Sequence, residues 1–528
     1  VQGVIGPGGP APSASLVLGH PRAIPAVPVT SDVVPAATAG PHACGAAAAT
    51  AAAYGGYTAD GIAAAYGLSG YWSAGDEGQG ATIALYELEP FSAADVAAYQ
   101  ACYGTSATVT VVAVDGGAGE GPGSGEAAMD VEDLIGLAPR ATIRVYEAPA
   151  NGAGAFDAYS RIVSDDSAQV ISTSWGLCEQ LEGQASAQAE NTLFQEAAVQ
   201  GQTVVAASGD QGSDDCGDGS RAVDDPASQP WVTGVGATSL QGSSNTVWND
   251  SLGATGGGVS ELWGRPSYQS GFAEPQSSVT CGASGTACRE VPDLSLDGDP
   301  ATGYVAYWDG GWRGVGGTSV AAPTVAALTA LADASPACGG RPVGFLNQAL
   351  YRAAAASYAS SFGDVTSGSN SFDGVAGFSA GPGYDMASGL GTPGATLGQA
   401  LCGQSAGAPS GSGSSGTGSS RGGHGPVAVK ASQPITIVAP KLGLGHVGVH
   451  VRLRLRGHDL RGLRLRWSAT GLPRGLRIDA RTGVIDGVPL AAVDRIVHVR
   501  ASDGRGDADS IALRWTVAGA PSLAARLV

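Results

Sequence analysis

From residue 81 onward, short apolar stretches take turns with helical ones, and this alternation constrains the fold of the 528-residue chain more than any other feature. ATIALYEL (81–88), ATIRVYEA (141–148), AQVISTSWG (168–176) and QTVVAASGD (202–210) read as strands. SAADVAAYQACY (92–103), EAAMDVEDLIGLA (126–138) and AENTLFQEAAVQG (189–201) read as helices. Alternating units of this kind predict an α/β domain, a parallel sheet with helices on both faces. Sites in such sheets gather at the carboxyl ends of the strands.

The pattern does not run the whole length. Residues 1–56 are rich in Ala, Pro and Gly without periodicity, and are expected to be a linker or the remnant of a leader. Residues 405–425, SAGAPSGSGSSGTGSSRGGHG, read as a flexible linker after a domain at 57–404. Beyond it the period becomes two: VGVHVRLRLRG, LRLRWSA and SIALRWTVAG alternate apolar with basic or polar residues, which predicts a small all-β sandwich over 426–520 and a short tail at 521–528. Charge divides at the same place. Residues 421–528 hold 17 Lys and Arg against 7 Asp and Glu, net +10, which leaves 10 against 39, net −29, for residues 1–420. So acidic a body disfavours nucleic acid as a partner, because phosphate binding needs clustered cations.

All eight cysteines lie in the acidic body, with no CxxC pair and no Cys/His cluster, which points to disulfides in an oxidising compartment rather than zinc. Cys281 and Cys288 close a short Gly/Ser loop and are the expected pair; the other connectivities stay open. The chain opens on VQGVIGPGGPAPSAS, without an initiator Met or a charged start before an apolar core, so a processed form is expected. No apolar run reaches the ~18–20 residues of a membrane span. A secreted, soluble monomer is the expectation.

VGGTSVAAPT (315–324) sets Ser319 just past two glycines and ahead of a small-residue apolar run, the arrangement of a nucleophile at the head of a helix. A serine hydroxyl needs a base. The chain has no histidine between residues 43 and 423, and its only lysines are Lys430 and Lys441, so inside this region the base must be a carboxylate. Glu126 and Asp130, four apart at the start of a predicted helix, share one face at a few ångström. Alone, such a pair is an ordinary solvated acidic face. Beside a serine that lacks any other base, it becomes a catalytic candidate. Asp210 follows a strand in AASGDQG, where a turn aspartate is common.

Together these motifs resemble the sedolisin family of serine-carboxyl peptidases, relatives of subtilisin in which glutamate replaces the histidine. The resemblance runs from YTADGIAAAYGL (57–68) through GGGVSELW (256–263) and VPDLSLDGDPATGY (291–304) to GLGTP (389–393). It implies a subtilisin-like sheet, with Ser319 as nucleophile, Glu126 as general base, Asp130 orienting Glu126, and Asp210 as the oxyanion-hole residue. Glu87 and Trp175 would extend the carboxylate network. It also implies one structural calcium ion, held by the side chains of Asp364 and Asp385 and the carbonyls of Val365, Gly381 and Gly383, a set of hard oxygens that suits calcium. The family is made with a large folded prodomain, which 56 irregular residues cannot form. That part is expected to be absent or already removed.

The implied activity is endopeptidase cleavage of polypeptide substrates in acid, because a glutamate base works where histidine would be protonated and a protonated aspartate can donate. A catalytically inactive member that binds peptides or surfaces is the alternative. SATGLPRGLRIDARTGVIDGVP (468–489) resembles immunoglobulin-like repeats appended to bacterial secreted proteins, and its Arg rows would suit attachment to an anionic surface or, more plainly, be a solvated basic face.

Overall fold

Thr82–Glu87 (β1) carries β-branched, aromatic and aliphatic residues at successive positions, and the strand is buried on both faces, as a central parallel strand must be. The computed structural model describes residues 39–119, 125–272, 281 and 287–402, the backbone of 13–14 and 17–18, and then 435–438, 445–447, 450–459, 464–503, 505 and 508–518. It divides into two compact units, Val1–Gly411 and Ser412–Val528. The linker expected at 405–425 lies outside the described residues.

In the first unit, β1 joins Thr108–Ala113 (β2), Thr142–Glu147 (β3), Val170–Thr173 (β4), Thr203–Ala207 (β5), Thr233–Gln241 (β6), Ser244–Val247 (β7) and Leu294–Asp297 (β8) in one sheet. Its order is β7-β6-β5-β4-β1-β3-β2, with β8 paired to β6. Every pairing is parallel except the β6–β7 hairpin. The expected subtilisin-like α/β architecture is therefore present. Ile83 and Leu85 face one core, shared with Val131, Leu134 and Ile135 of the helix Gly125–Leu137. Ala84 and Tyr86 face the other, with Tyr159 and Phe194.

Among the helices are Gly45–Tyr54 (α1), Ala93–Tyr103 (α2), Gly125–Leu137 (α3), Gly152–Asp165 (α4), Glu179–Gln200 (α5) and Thr318–Ala334 (α6). α1 departs from the expected irregular leader. GAAAATAAAY has the strongest helix former at seven of ten positions, and the helix is anchored by buried Ala47 and Ala51 and by a Cys44–Cys102 disulfide at its start. The remaining disulfides are Cys178–Cys216, Cys281–Cys288 and Cys338–Cys402, so the pair expected at 281–288 forms.

The second unit is all-β. Among its described residues a four-stranded sheet includes Arg466–Thr470, Val493–Ser502 and Ala508–Ala518, and a three-stranded sheet joins Val451–Arg454, Leu476–Ile478 and Val484–Gly487. Trp467, Ile485, Val497, Val499 and Trp515 form its core. Arg452 and Arg477 both stand opposite Asp486 across the smaller sheet.

Candidate active site

Ser319 sits in the first turn of α6, buried, behind Gly317, whose φ of +111° only glycine adopts without strain. Pro323 lies four residues beyond it and has no N–H to return to the Ser319 carbonyl. Ser174 Oγ, just past the carboxyl end of β4, stands 3.2 Å from that carbonyl oxygen instead. α3 packs along α6, and its acids at positions 126, 130 and 133 follow one helical face. Asp133 Oδ2 accepts the Thr324 hydroxyl of α6 at 2.9 Å.

The carboxyls form a chain leading away from the serine. Glu126 is buried, and neither of its oxygens has a hydrogen-bond partner. Burial, then the charge of Asp130, pushes its pKa well above the ordinary glutamate range; the Ser319 hydroxyl is the main group pulling the other way. Asp130 Oδ1 lies 2.9 Å from Ser174 Oγ. The one Ser174 proton can serve either Asp130 or the Ser319 carbonyl, and a protonated Asp130 supplies the other bond. Glu87, at the end of β1, accepts from the Trp175 indole N–H at 2.9 Å on Oε2, while its Oε1 and Asp130 Oδ2 are both buried without a donor. Burial first, and then the charge of Glu126 on Glu87 and of Glu87 on Asp130, hold both carboxyls well above the carboxylate range, and one proton shared between them would satisfy both.

Asp210, in the turn after β5, faces the serine from the other side. Its Oδ1 accepts the Thr318 N–H at 2.7 Å and the Thr318 hydroxyl at 2.8 Å, leaving Oδ2 buried and unpartnered. Burial pushes its pKa up to about 7, so in acid it carries a proton that it can donate. A cavity of about 190 Å³ opens beside Ser319, walled by Gly176, Leu181, Asp210, Asp215 and Asp224. A larger groove of about 840 Å³ beside Asn245 and Asp364 contains none of these carboxyls, so the smaller one is the cavity that meets the candidate residues. His42 is the only histidine among the described residues of the first unit, and it pairs with Asp60 rather than with any residue of this site.

Ser319, Glu126, Asp130, Asp210, Glu87 and Trp175 are thus brought together from three strand ends and two helices. Sequence reasoning missed Ser174 and Thr318, the hydroxyls that hold Asp130 and Asp210. Both stand inside stretches already singled out, STSWG and GGTS, next to the residues they serve. It also missed Asp215 and Asp224, whose only signal was an acid-rich turn, SDDCGDGSRAVDD.

Asp364 and Asp385 converge on one Gly-rich loop. The Gly383 N–H donates to Asp364 Oδ1 at 3.1 Å, and the Gly381 N–H to Asp385 Oδ2 at 2.9 Å. The carbonyls of Val365, Gly381 and Gly383 accept no hydrogen bond among the described residues. Two carboxylates and three free carbonyls are the donor chemistry of a hard cation. Among the described residues no group of three or more Asp, Glu, His or Cys side chains could hold a metal, so any site here would rest on the backbone oxygens as well.

Residues 92–370 match the subtilase family. Kumamolisin of Bacillus sp. (strain MN-32) is 41% identical over 346 residues, 62% of this chain and 61% of that protein. Sedolisin of Pseudomonas sp. (strain 101) is 35% identical over 294 residues, 51% of this chain and 48% of that protein. The chain therefore spans about three fifths of the first and half of the second. The structure of Pseudomonas sedolisin, a serine-carboxyl proteinase complexed with two molecules of pseudo-iodotyrostatin, is similar at a TM-score of 0.54 and 30% identity, covering 61% of this chain and 93% of that one.

Proposed function

The chain belongs to the subtilase family and, within it, to the sedolisins, and from that premise we propose that it hydrolyses peptide bonds of polypeptides in acid through Ser319, Glu126 and Asp130. One observation carries the reading: the carboxyl of Glu126 is buried beside Ser319, whose hydroxyl is the main group favouring its ionised form. Glu126 takes the serine proton as Oγ attacks the scissile carbonyl carbon. The tetrahedral oxyanion then receives a hydrogen bond from the protonated Asp210, whose free Oδ2 is not used by Thr318. Glu126 returns its proton to the leaving amine, and a water activated by the same carboxylate releases the acyl group from Ser319. The proton shared by Asp130 and Glu87 removes one negative charge beside Glu126, which makes its ionisation easier.

Two pH limits follow. Burial places the ionisation of Glu126 above that of a free glutamate, so the acid limb lies higher than the residue type alone implies. The upper limb reflects loss of the Asp210 proton, at about 7. Incubation with denatured protein over a pH series tests the reading. Cleavage confined to the acid side supports it; an optimum above neutrality sinks the glutamate mechanism, and no cleavage at any pH favours a binding protein.

Four disulfides favour a secreted protein, and no helix among the described residues is long and apolar enough to cross a membrane. One calcium ion would be held by Asp364, Asp385 and the carbonyls of Val365, Gly381 and Gly383, where it would supply a structural constraint and no step of the chemistry. The second unit would act as an immunoglobulin-like appendage whose exposed arginines suit an anionic surface.

A further inference from the structure

Asp210 rides on a turn that holds itself weakly. Gly209 and Gly212, on either side of it, have φ of +95° and +59°, so both are glycines by need and neither brings a side chain to packing. Thr318 fixes Asp210 Oδ1, but the backbone that carries the carboxyl needs its own support. A strap at residues 254–257 supplies part of it. The Gly212 N–H donates to the Ala254 carbonyl at 2.8 Å, the Ala254 N–H to the Asp210 carbonyl at 3.0 Å, and the Gly256 N–H to the Gly209 carbonyl at 2.7 Å. The strap is itself short of side chains. A Cβ at Gly256 would overlap the Ser208 carbonyl oxygen and one at Gly257 the Met386 carbonyl oxygen, so both positions are bare because other backbone lies against them.

Asn370 joins the turn to the strap. It is fully buried in the Gly-rich loop that also carries Asp364 and Asp385, and each of its four polar groups has a partner. Its carbonyl accepts the Ser213 N–H at 3.0 Å, three residues past Asp210, while its Nδ2 donates to the Gly257 carbonyl at 2.9 Å. Its N–H donates to the Phe378 carbonyl at 3.0 Å, and its Oδ1 accepts the Phe378 N–H at 2.8 Å. One side-chain partner is a main-chain carbonyl and the other a main-chain N–H, so the amide can point only one way. On either side of it, Asn249 Nδ2 donates to the carbonyls of Ser369 and Ser371, at 2.8 and 2.6 Å. An amide buried this deep is costly unless every group is bonded, and here every group is.

We propose that Asn370 is a positioning residue for the reaction: by tying Ser213 and Gly257 to one rigid amide, it sets where the Asp210 carboxyl stands relative to Ser319. The proposal rests on the peptidase reading above. Asn370 does not wall the cavity beside Ser319, so its effect on the chemistry passes through Asp210. Without its Nδ2 the Gly257 carbonyl is buried with no donor from this side chain, and strap and turn can shift together. A displacement of about 1 Å at an oxyanion donor is enough to cost about 10² in rate.

Hydrolysis of fluorescent casein in acid, well below the melting temperature of each variant, tests this. Asn370→Ala should lower kcat about 10- to 100-fold and leave KM within about twofold of the parent. Asn370→Asp keeps the acceptor for Phe378 and, while its carboxyl is protonated in acid, a donor for Gly257, so it should stay within about threefold of the parent. In the Asp210→Ala chain the group being positioned is gone, and adding Asn370→Ala there should cost less than about threefold more. Should Asn370→Ala not fold, Asn370→Leu, of similar size and without the donor, takes its place in the same cycle. An equal loss in both backgrounds overturns the proposal and leaves the peptidase reading standing. So does a loss confined to KM, a parent-like kcat for Asn370→Ala, or an Asn370→Asp chain no better than Asn370→Ala. No hydrolysis of casein by the parent chain overturns both.

Discussion

The two units handle charge in opposite ways. In the first, Glu87, Glu126, Asp130, Glu132 and Asp133 are all buried, and burial pushes every one of them above the ordinary carboxylate range. In the second, Asp479 is exposed and accepts the N–H groups of Arg481 and Thr482, which hold its pKa low, and arginines 474, 477, 481 and 500 point to solvent. Buried acids store protons that chemistry can use. Exposed cations give a surface its charge and little else, because water screens them. The formal net charge of residues 1–420 therefore overstates the negative charge that stretch carries in acid, where many of its buried carboxyls are neutral.

The largest effect that would break this comparison is loss of the proton-handling chemistry itself. Ser319→Ala and Glu126→Gln should each lower kcat on the order of 10⁵–10⁶-fold while leaving the circular dichroism and melting temperature of the chain intact. Arg452→Ala in the second unit should leave kcat unchanged. Turnover by either first-unit variant near the parent rate would mean the buried acids are structural only.

Asp210 offers a finer cut. Asp210→Ala should cost about 10²–10³ in kcat, the worth of one oxyanion donor. Asp210→Asn keeps a donor that does not titrate, so the fall in rate near pH 7 should move upward or vanish even if the rate itself is reduced. A pH profile whose upper limb is the same in both proteins would remove Asp210 from the oxyanion role.

Stability should also divide by unit. A carboxyl whose pKa is higher folded than unfolded binds its proton more tightly in the native state, so its contribution is full below about pH 4 and is lost as pH rises through the folded value. Those values are about 7 for Asp210, Asp215 and Asp333 and about 8 for Asp133. Calorimetry of the full chain should show the transition that abolishes activity falling on the order of 10 °C between pH 4 and pH 8. A second transition, from the C-terminal unit, should barely move. Parallel shifts of both would show that the buried carboxyls do not set the pH response.

Calcium should act on the first unit alone and more weakly. Added to chain shown metal-free by elemental analysis, it should raise the activity-linked melting temperature by about 3–5 °C, more near neutrality than in moderate acid, because its carboxylate ligands must be ionised and burial raises the pKa of Asp385. Asp385→Ala should abolish the response. The smallest effect is expected at the exposed face: Arg452→Ala and Arg477→Ala should change stability by less than about 0.5 kcal/mol. Their effect should be confined to retention on an anionic matrix.

Much of this could be read from residue order alone. The turn-taking of strands and helices specified a parallel sheet because periodicity and β-branched runs are local properties, and the predicted strands at 81–88 and 141–148 match β1 and β3 to one residue at each end, while that at 202–210 contains β5 and runs three residues beyond it. The lack of histidine between 43 and 423 forced a carboxylate base, since that argument needs only an inventory. What the inventory could not do was choose among 39 acids, find Ser174 and Thr318 as their holders, or pair Ser13–Ala14 with Trp175–Gly176 and Val17–Leu18 with Val315–Gly316. Those contacts join positions up to about 300 residues apart, and only a closed chain has them. Protonation belongs to the same class. A glutamate in sequence has the pKa of its type, whereas Glu126 acquires its own from the water that α3 and α6 exclude and from Asp130 one turn away.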